Sequence, residues 1–224
     1  DTIEDETQVM CSGVWVSEDT IVTAHHCVEG VAIQRAMMKM PPRERLLAAM
    51  FGIGMPEFTE EELQKIDMHY ISEDEVTQVG ENPITTFDAD VLALDKPHDL
   101  AALKVKGHRP RHLLSPLAQK IPSTGEEVVI VGHTKGLYWT YMKGTVSSVR
   151  AKLPGMEDMV GPWVQVIAPI AGGNSGSGAF DSHGCLVGIV SFTMTRAPNE
   201  GFLIHPDTIH DFLKKNKIAH LYAL

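Results

Sequence analysis

The stretch GGNSGSGAF, Gly172 to Phe180, sets a serine between glycines, shortly before the apolar run Leu186 to Ser191. Glycines permit the tight, exposed turn that an activated serine needs, although a turn rich in glycine and serine is more often only a turn. To act as a nucleophile, Ser175 requires a base that takes its proton and N–H donors for the oxyanion that forms. Its partners must come from elsewhere in the chain.

A candidate base lies in the amino-terminal half, at the end of an expected hairpin. The runs Gly13 to Val16 and Thr20 to Thr23 are rich in β-branched residues and flank a polar turn, which predicts two paired strands. The second run continues into TAHHC, so His25 and His26 stand where the chain leaves the strand. A histidine at such a position is most often a surface or capped residue, and a catalytic role depends on its context.

The three cysteines are Cys11, Cys27 and Cys185. Cys11 and Cys27 lie on either side of the hairpin, where a disulfide could fix the loop that carries His26. Two buried thiols are the alternative, and the disulfide requires an oxidising compartment. Because the cysteines are not spaced as CxxC and the eleven histidines form no HExxH pair, we expect no metal site.

A candidate carboxylate follows in the segment Ile84 to Val105. Asp99 comes directly before an apolar run, where its carboxylate would be partly buried and would need a donor such as an imidazole N–H. A turn-capping aspartate is the alternative interpretation. The rival carboxylates in the same segment are Asp88, Asp90 and Asp95.

Composition excludes several classes of function. The net charge of −10 argues against a nucleic-acid-binding protein, which would carry a basic surface, and against adhesion to anionic lipid. No apolar run approaches the roughly 20 residues of a membrane helix, so we expect no membrane span.

Many short strands separated by turn signals predict an all-β protein built from barrels or a sandwich. A proline-containing connector beginning at His108 suggests an amino-terminal lobe over residues 1–112 and a carboxyl-terminal lobe over 113–224. The region 31–83 is irregular and partly helical, and the tail is expected to form a helix. The expected helices are Arg43 to Phe51, one with a Thr59–Glu62 capping box, and one with Asp207 as N-cap.

Taken together, TAHHC, DLAALKV and GGNSGSGAF resemble the histidine, aspartate and serine blocks of the chymotrypsin/trypsin-like serine peptidases. The similarity is greatest to the bacterial branch with HtrA-type enzymes and glutamyl endopeptidases. The order His, Asp, Ser is that of chymotrypsin and differs from that of subtilisins and α/β-hydrolases. ADVLALDKPHDLAALKV resembles the HtrA-type run ahead of the catalytic aspartate, which selects Asp99 over Asp90. His26 adjoins a cysteine, as the base of the family does.

The resemblance implies two six-stranded antiparallel β-barrels, a C-terminal helix and a partly helical insertion in the first barrel. It implies a serine endopeptidase that acts on proteins or peptides through an acyl-enzyme and needs no cofactor. Ser175 would be the nucleophile, His26 the base and Asp99 the residue that orients it. The N–H groups of Gly173 and Ser175 would form the oxyanion hole, and the Cys11–Cys27 pair resembles the disulfide beside the family's histidine.

The resemblance also suggests where substrate binds. GIVSF resembles the substrate-binding strand, so Val190, Ser191, Phe192 and Thr193 are expected to line the site, with a preference for a neutral, small or medium apolar P1 residue. A secreted or periplasmic location follows from the resemblance and the expected disulfide. The alternatives are a catalytically silent binding module and a viral or phage protease that processes a polyprotein.

Overall fold

The computed structural model describes residues 11–66, 68–73, 84–110, 114–135, 137–194 and 197–220. Strands dominate, and the helices lie between the second and third strands and at the carboxyl end. The strands are β1 (Val14–Trp15), β2 (Thr20–Ala24), β3 (Met68–Glu73), β4 (Ile84–Asp95), β5 (Leu100–Val105), β6 (Glu127–Thr134), β7 (Leu137–Arg150), β8 (Trp163–Ile167), β9 (Gly178–Phe180), β10 (Leu186–Met194) and β11 (Ala197–Ile204). The helices are α1 (His25–Lys39), α2 (Pro42–Phe51), α3 (Glu60–Leu63) and α4 (Pro206–Lys215).

The carboxyl-terminal half forms a closed antiparallel barrel of six strands in the order β10-β11-β8-β7-β6-β9. Burial alternates along β6, where Val128 and Ile130 point inward and the intervening side chains are more exposed. Val164, Val166 and Leu203 complete the same apolar interior. The expectation of an all-β protein with a six-stranded barrel is therefore confirmed for this half.

In the amino-terminal half, the described strands form a five-stranded antiparallel sheet in the order β1-β2-β5-β4-β3. The expected hairpin is present, since β1 pairs with β2 through Val14–Val22 and Trp15–Ile21. β2 then pairs with β5 along its whole length, ending at Ala24–Leu100. A closed six-stranded barrel in this half stays a prediction, as does the division at residue 112.

One apolar cluster contains side chains from both halves of the chain. Val22, Leu100 and Ala102 of the five-stranded sheet belong to the same cluster as Ile189 and Phe202 of the barrel. Burial of these side chains favours the packing of β2 and β5 against β10. This packing sets the carboxyl end of β2 beside the middle of β10.

Three helices separate β2 from β3. α2 matches the helix expected from Arg43 to Phe51, and the capping box at Thr59 and Glu62 is present at the start of α3. α1 was not expected, because the chain was predicted to enter a loop after TAHHC. Instead, a 15-residue helix begins at His25.

The terminal helix α4 is present and packs Ile209, Phe212 and Leu213 against the shared core. The expected N-cap, Asp207, is wrong by two positions. The N-cap is His205, whose Nδ1 accepts a hydrogen bond from the backbone N–H of Asp207 at 3.1 Å. Pro206 occupies the first helical position, where its missing N–H has no cost.

Candidate active site

His26 lies in the first turn of α1, directly after the end of β2. The pairing of Ala24 with Leu100 continues as a hydrogen bond from the His25 N–H to the Asp99 carbonyl at 3.0 Å. The pairing of β2 with β5 therefore places His26 next to Asp99, although 73 positions separate them in the sequence. The side chain of His26 is 44% exposed, which leaves its ring accessible.

The carboxylate of Asp99 accepts hydrogen bonds from two distant segments, one carrying His26 and the other Ser191. Its carboxylate oxygens both lie 3.0 Å from His26 Nδ1, and Oδ1 also accepts the His26 backbone N–H at 3.0 Å. Ser191 Oγ donates to Oδ2. Burial by itself raises the pKa of Asp99, but the hydrogen bonds and charge of His26 and the bond from Ser191 outweigh it, so the pKa lies below its ordinary value.

The backbone of Asp99 has a φ of 55°, in the left-handed region that few non-glycine residues adopt. This conformation ends the turn between β4 and β5 and turns the carboxylate toward His26. A strained position of this kind persists when surrounding contacts fix it, here the three donors to the side chain.

The rival carboxylates have other partners. Asp95 accepts from His98 Nδ1 at 2.9 Å, and Asp90 forms an exposed ion pair with Lys106 at 2.6 Å. Asp88 is exposed on β4. Among the described aspartates of this segment, Asp99 is the one hydrogen-bonded to His26.

His25, the neighbouring imidazole, is almost fully buried. Burial lowers the pKa of His25 and outweighs the opposing influence of Glu29. Its Nε2 is buried without a hydrogen-bond partner in the described part of the protein. The buried ring of His25 cannot meet a substrate, whereas His26 can.

Ser175 is half-buried, and its hydroxyl contacts Ser191, the residue that also binds Asp99. Its Oγ donates to the carbonyl oxygen of Ser191 at 3.3 Å, and its own carbonyl accepts the N–H of Ser12 at 2.7 Å. Within the described hydrogen bonds, none joins Ser175 Oγ to His26. The structure thus brings Asp99 and His26 into direct contact, and Ser191 connects this pair to Ser175.

The glycines around Ser175 are required by close backbone contacts. Gly173 and Gly176 have φ values of 94° and 84°. A Cβ atom at Gly173 would overlap the carbonyl oxygen of His133, and one at Gly176 would overlap that of Ser12. Only glycine has no Cβ atom to cause this overlap and also adopts a positive φ without strain.

Two backbone N–H groups of this turn have no acceptor within the described part of the protein. Among the described hydrogen bonds, the N–H groups of Gly173 and Ser175 donate to no protein acceptor. Between them, Asn174 is completely buried and its side chain is fixed, with Oδ1 accepting from Thr134 Oγ1 at 3.1 Å. The buried, hydrogen-bonded Asn174 therefore fixes a turn with two backbone N–H donors. Such a turn is suited to bind an anionic oxygen.

A Cys11–Cys27 disulfide links the segment before β1 to the first turn of α1, with the Cα atoms 6.0 Å apart. It settles the choice between a bridge and two thiols. The described residues hold one group of at least three metal-ligating side chains in close contact, formed by these cysteines and His26. Since the two sulfurs are bonded to each other, they offer no thiolate to a metal ion.

Of the four residues expected to line a substrate site, Val190 and Ser191 are buried and Phe192 and Thr193 are half-buried. The ring of Phe192 stacks on Phe202 with centroids 5.0 Å apart, so this side chain contributes to the core. Thr193 pairs with Gly201 on β11.

Sequence reasoning missed two residues of this region, Ser12 and His133. Ser12 Oγ donates to the Gly173 carbonyl at 2.9 Å and accepts the His133 N–H at 3.0 Å. These bonds fix the serine turn from the opposite half of the chain. No local pattern could reveal them, because Ser12 and Gly173 are 161 positions apart.

The sequence is similar to those of several known proteases. The chain is 30% identical over 137 residues to Protease Do-like 1, chloroplastic, of Arabidopsis thaliana, an alignment of 56% of this chain and 30% of that protein. It is 28% identical over 181 residues to serine protease HTRA1 of Xenopus laevis, covering 79% and 38% of the two chains. A probable periplasmic serine endoprotease DegP-like of Pseudomonas fluorescens is 35% identical over 109 residues, which are 49% of this chain and 22% of that protein. The chain thus spans between about a fifth and two fifths of the length of these relatives.

Solved structures agree on the fold. The active form of the Rv3671c protease from M. tuberculosis superposes with a TM-score of 0.61 at 17% identity, covering 94% of this chain and 75% of that one. Deg5 superposes with a TM-score of 0.57 at 20% identity, covering 89% and 79%. Residues 11–189 match the sequence profile of the trypsin-like peptidase domain, which includes all three elements of the site, and the chain belongs to that family.

Proposed function

We propose that this chain is a serine endopeptidase domain in which Ser175 attacks the peptide carbonyl, His26 acts as base and Asp99 orients His26. The observation that carries the proposal is the buried Asp99 carboxylate, bonded to His26 Nδ1 and, through Ser191, connected to Ser175. The relatives named as a serine protease and a serine endoprotease support the same activity.

The hydrogen bond to Asp99 determines which ring nitrogen reacts. With Nδ1–H donating to Asp99, Nε2 is the acceptor, and its ring is accessible to a substrate. For the attack, Ser175 Oγ must rotate from the Ser191 carbonyl toward His26 Nε2. His26 then takes the proton and later delivers it to the leaving amine, while Asp99 stabilises the imidazolium that forms between these steps.

The tetrahedral oxyanion would be bound by the open N–H groups of Gly173 and Ser175. Loss of one such donor typically lowers the rate by about 10² to 10³. The bond that Ser12 donates to the Gly173 carbonyl and the bond that Asn174 accepts from Thr134 support this hole by fixing the turn on both sides. No cofactor is needed for this chemistry.

We propose a neutral, small or medium apolar P1 residue. Ile170 is buried against Gly201, where any side chain at position 201 would overlap the Ile170 Cδ1 methyl. Ile170 and Val190 belong to the same apolar core of the barrel, and Val190 directly precedes Ser191, whose carbonyl accepts from Ser175 Oγ. Ile170→Ala should extend the preference to larger apolar P1 residues in a peptide library, whereas a strict Glu or Arg preference of the native chain would exclude the assignment.

We propose an extracytoplasmic location and two lobes divided near residue 112. The disulfide supports an oxidising compartment, and one relative is named as periplasmic. Within the described residues, no helix is long and apolar enough to cross a membrane. The relatives named above come from a plant, a frog and bacteria, and they give no support to a viral origin.

A fluorophosphonate probe tests the activity against the alternative of a silent binding module. The native chain should be labelled once, and Ser175→Ala should not be labelled. Ser177→Ala is the matched control, because Ser177 lies two positions away but is fully buried. Failure of the native chain to react would favour the binding module, and persistent labelling of Ser175→Ala would move the nucleophile elsewhere.

A further inference from the structure

The Cys11–Cys27 disulfide lies close to the side chain of His26. The two sulfur atoms and a ring nitrogen of His26 all lie within 4.8 Å of one another. His26 and Cys27 are neighbours in the first turn of α1, and the disulfide brings Cys11 to them from the segment before β1. The candidate base therefore has two cysteine sulfurs near it, in addition to the carboxylate of Asp99.

Reduction of the disulfide would turn these three side chains into a set of metal ligands. Two thiolates and an imidazole are donors that Zn²⁺ binds in tetrahedral sites, and a water molecule can take the fourth position. Zinc–sulfur bonds of about 2.3 Å and zinc–nitrogen bonds of about 2.0 Å place tetrahedral ligand atoms about 3.5 to 3.8 Å apart. The separations of at most 4.8 Å exceed this spacing by only about 1 Å, and the sulfurs can move apart once their bond is broken.

The surroundings of the three side chains suit an ion that enters from solvent. Cys27 is buried, Cys11 is half-buried and His26 is exposed, so the group reaches from the interior to the surface. Asp99 accepts from His26 Nδ1 at 3.0 Å, which leaves Nε2 as the ring nitrogen that carries a lone pair. A histidine that ligates a metal ion commonly donates its other nitrogen to a carboxylate in this way, and the bond makes the ring a stronger ligand.

We propose that Cys11, Cys27 and His26 bind Zn²⁺ when the disulfide is reduced, and that the bound ion switches the candidate active site off. A dithiol reductant supplies two electrons and two protons: the S–S bond breaks, the dithiol closes to its own disulfide, and two cysteine thiols form. Zn²⁺ then displaces both thiol protons to solvent and takes the lone pair of the imidazole.

The loss of activity follows from the place of the ion, and it rests on the proposed function. A His26 nitrogen that bonds Zn²⁺ has no lone pair for the proton of Ser175, so the nucleophile loses its base. Cys27 Sγ also lies 3.9 Å from the carbonyl oxygen of Ser175, which places the ion beside the serine turn. The chain would be silent in a reducing compartment and active where the disulfide forms.

Metal titration of the full chain, reduced with a dithiol and then freed of it without air, tests the site. Cobalt(II) replaces zinc in such sites and absorbs light, so a single ion per chain should give the charge-transfer band of a cobalt thiolate, and Zn²⁺ should remove the band. The oxidised chain should give no band. His26→Gln should weaken binding by at least about 100-fold, since loss of even a hydrogen-bond partner of a ligand costs about 10- to 100-fold.

Matched controls change the same residue types outside the group. Cys185→Ser removes the free thiol and His183→Gln removes an exposed histidine, and both variants should bind cobalt as the native chain does. The band should disappear in concentrated urea, because the fold brings the ligands together. No band with the reduced native chain, equal affinity of His26→Gln, or a band that persists in urea would overturn the site.

Fluorophosphonate labelling distinguishes failure of the switch from failure of the proposed function. The oxidised chain should be labelled with or without Zn²⁺, whereas Zn²⁺ should slow labelling of the reduced chain by at least about 10²-fold, the lower end of what a general base contributes. A chelator should restore the rate. Labelling of the reduced chain that Zn²⁺ leaves unchanged would overturn the switch. If neither state is labelled, the proposed function fails and the switch with it, while the cobalt titration still decides whether the site binds metal.

Discussion

Asp99→Asn removes the negative charge beside His26 and leaves the shape of the side chain almost unchanged. In the native chain both carboxylate oxygens lie 3.0 Å from His26 Nδ1. At this separation and an effective dielectric constant of about 20, a unit charge stabilises an imidazolium by about 5.5 kcal/mol. Each 1.36 kcal/mol or so is a factor of ten in rate, so we expect kcat to fall by about 10⁴-fold.

The measurement is turnover of a fluorogenic peptide at slightly alkaline pH, with the rate of fluorophosphonate labelling as a second readout. Asp95→Asn is the matched control, because Asp95 also accepts from a histidine, His98 Nδ1, at 2.9 Å. It should leave kcat within about twofold, since the described hydrogen bonds of the Asp95 side chain go to His98 and not to His26 or Ser175. Near-ultraviolet circular dichroism of both variants checks that the fold is intact. A loss below tenfold for Asp99→Asn, or an equal loss for Asp95→Asn, would refute the assignment of Asp99.

Three further predictions follow from the same contacts. Gly173→Ala should lower the rate by at least about 10²-fold, measured with the fluorogenic peptide, because its Cβ would overlap the His133 carbonyl and displace an oxyanion donor. Burial lowers the pKa of His25 below its ordinary value of 6.5, so the unfolded chain binds the proton more readily and stability should fall as the pH drops through and below that value. In urea unfolding at about neutral and about mildly acidic pH, His25→Leu should lose less stability than the native chain; an equal loss would contradict this origin. Cys11→Ser with Cys27→Ser should lower the free energy of unfolding by about 3 kcal/mol in the same assay, and a change within error would contradict a stabilising role of the disulfide.

The local sequence pattern was sufficient to predict those elements that are determined by their own residues. The helix at α2 and the capping box at Thr59 follow from proline, acidic residues and glycine at fixed offsets, and the structure has both. The barrel strands follow from short apolar runs separated by turn signals, with burial that alternates along β6 but is continuous along β8 and β10. α1 was missed because TAHHC reads as the end of a strand, and the helix begins there only when the pairing of β2 with β5 stops.

The sequence alone predicted the groups of the candidate site: Ser175 in a glycine-rich turn, His26 after a strand and Asp99 ahead of an apolar run. It also determined their order, and with it the resemblance to a family. Only the tertiary structure decided which atoms meet. The choice of Asp99 over Asp95, the exposed His26 beside the buried His25, and the link through Ser191 all depend on contacts between segments more than 70 positions apart. Such contacts form because packing of β2 and β5 against β10 buries apolar surface, and no local pattern encodes that distance.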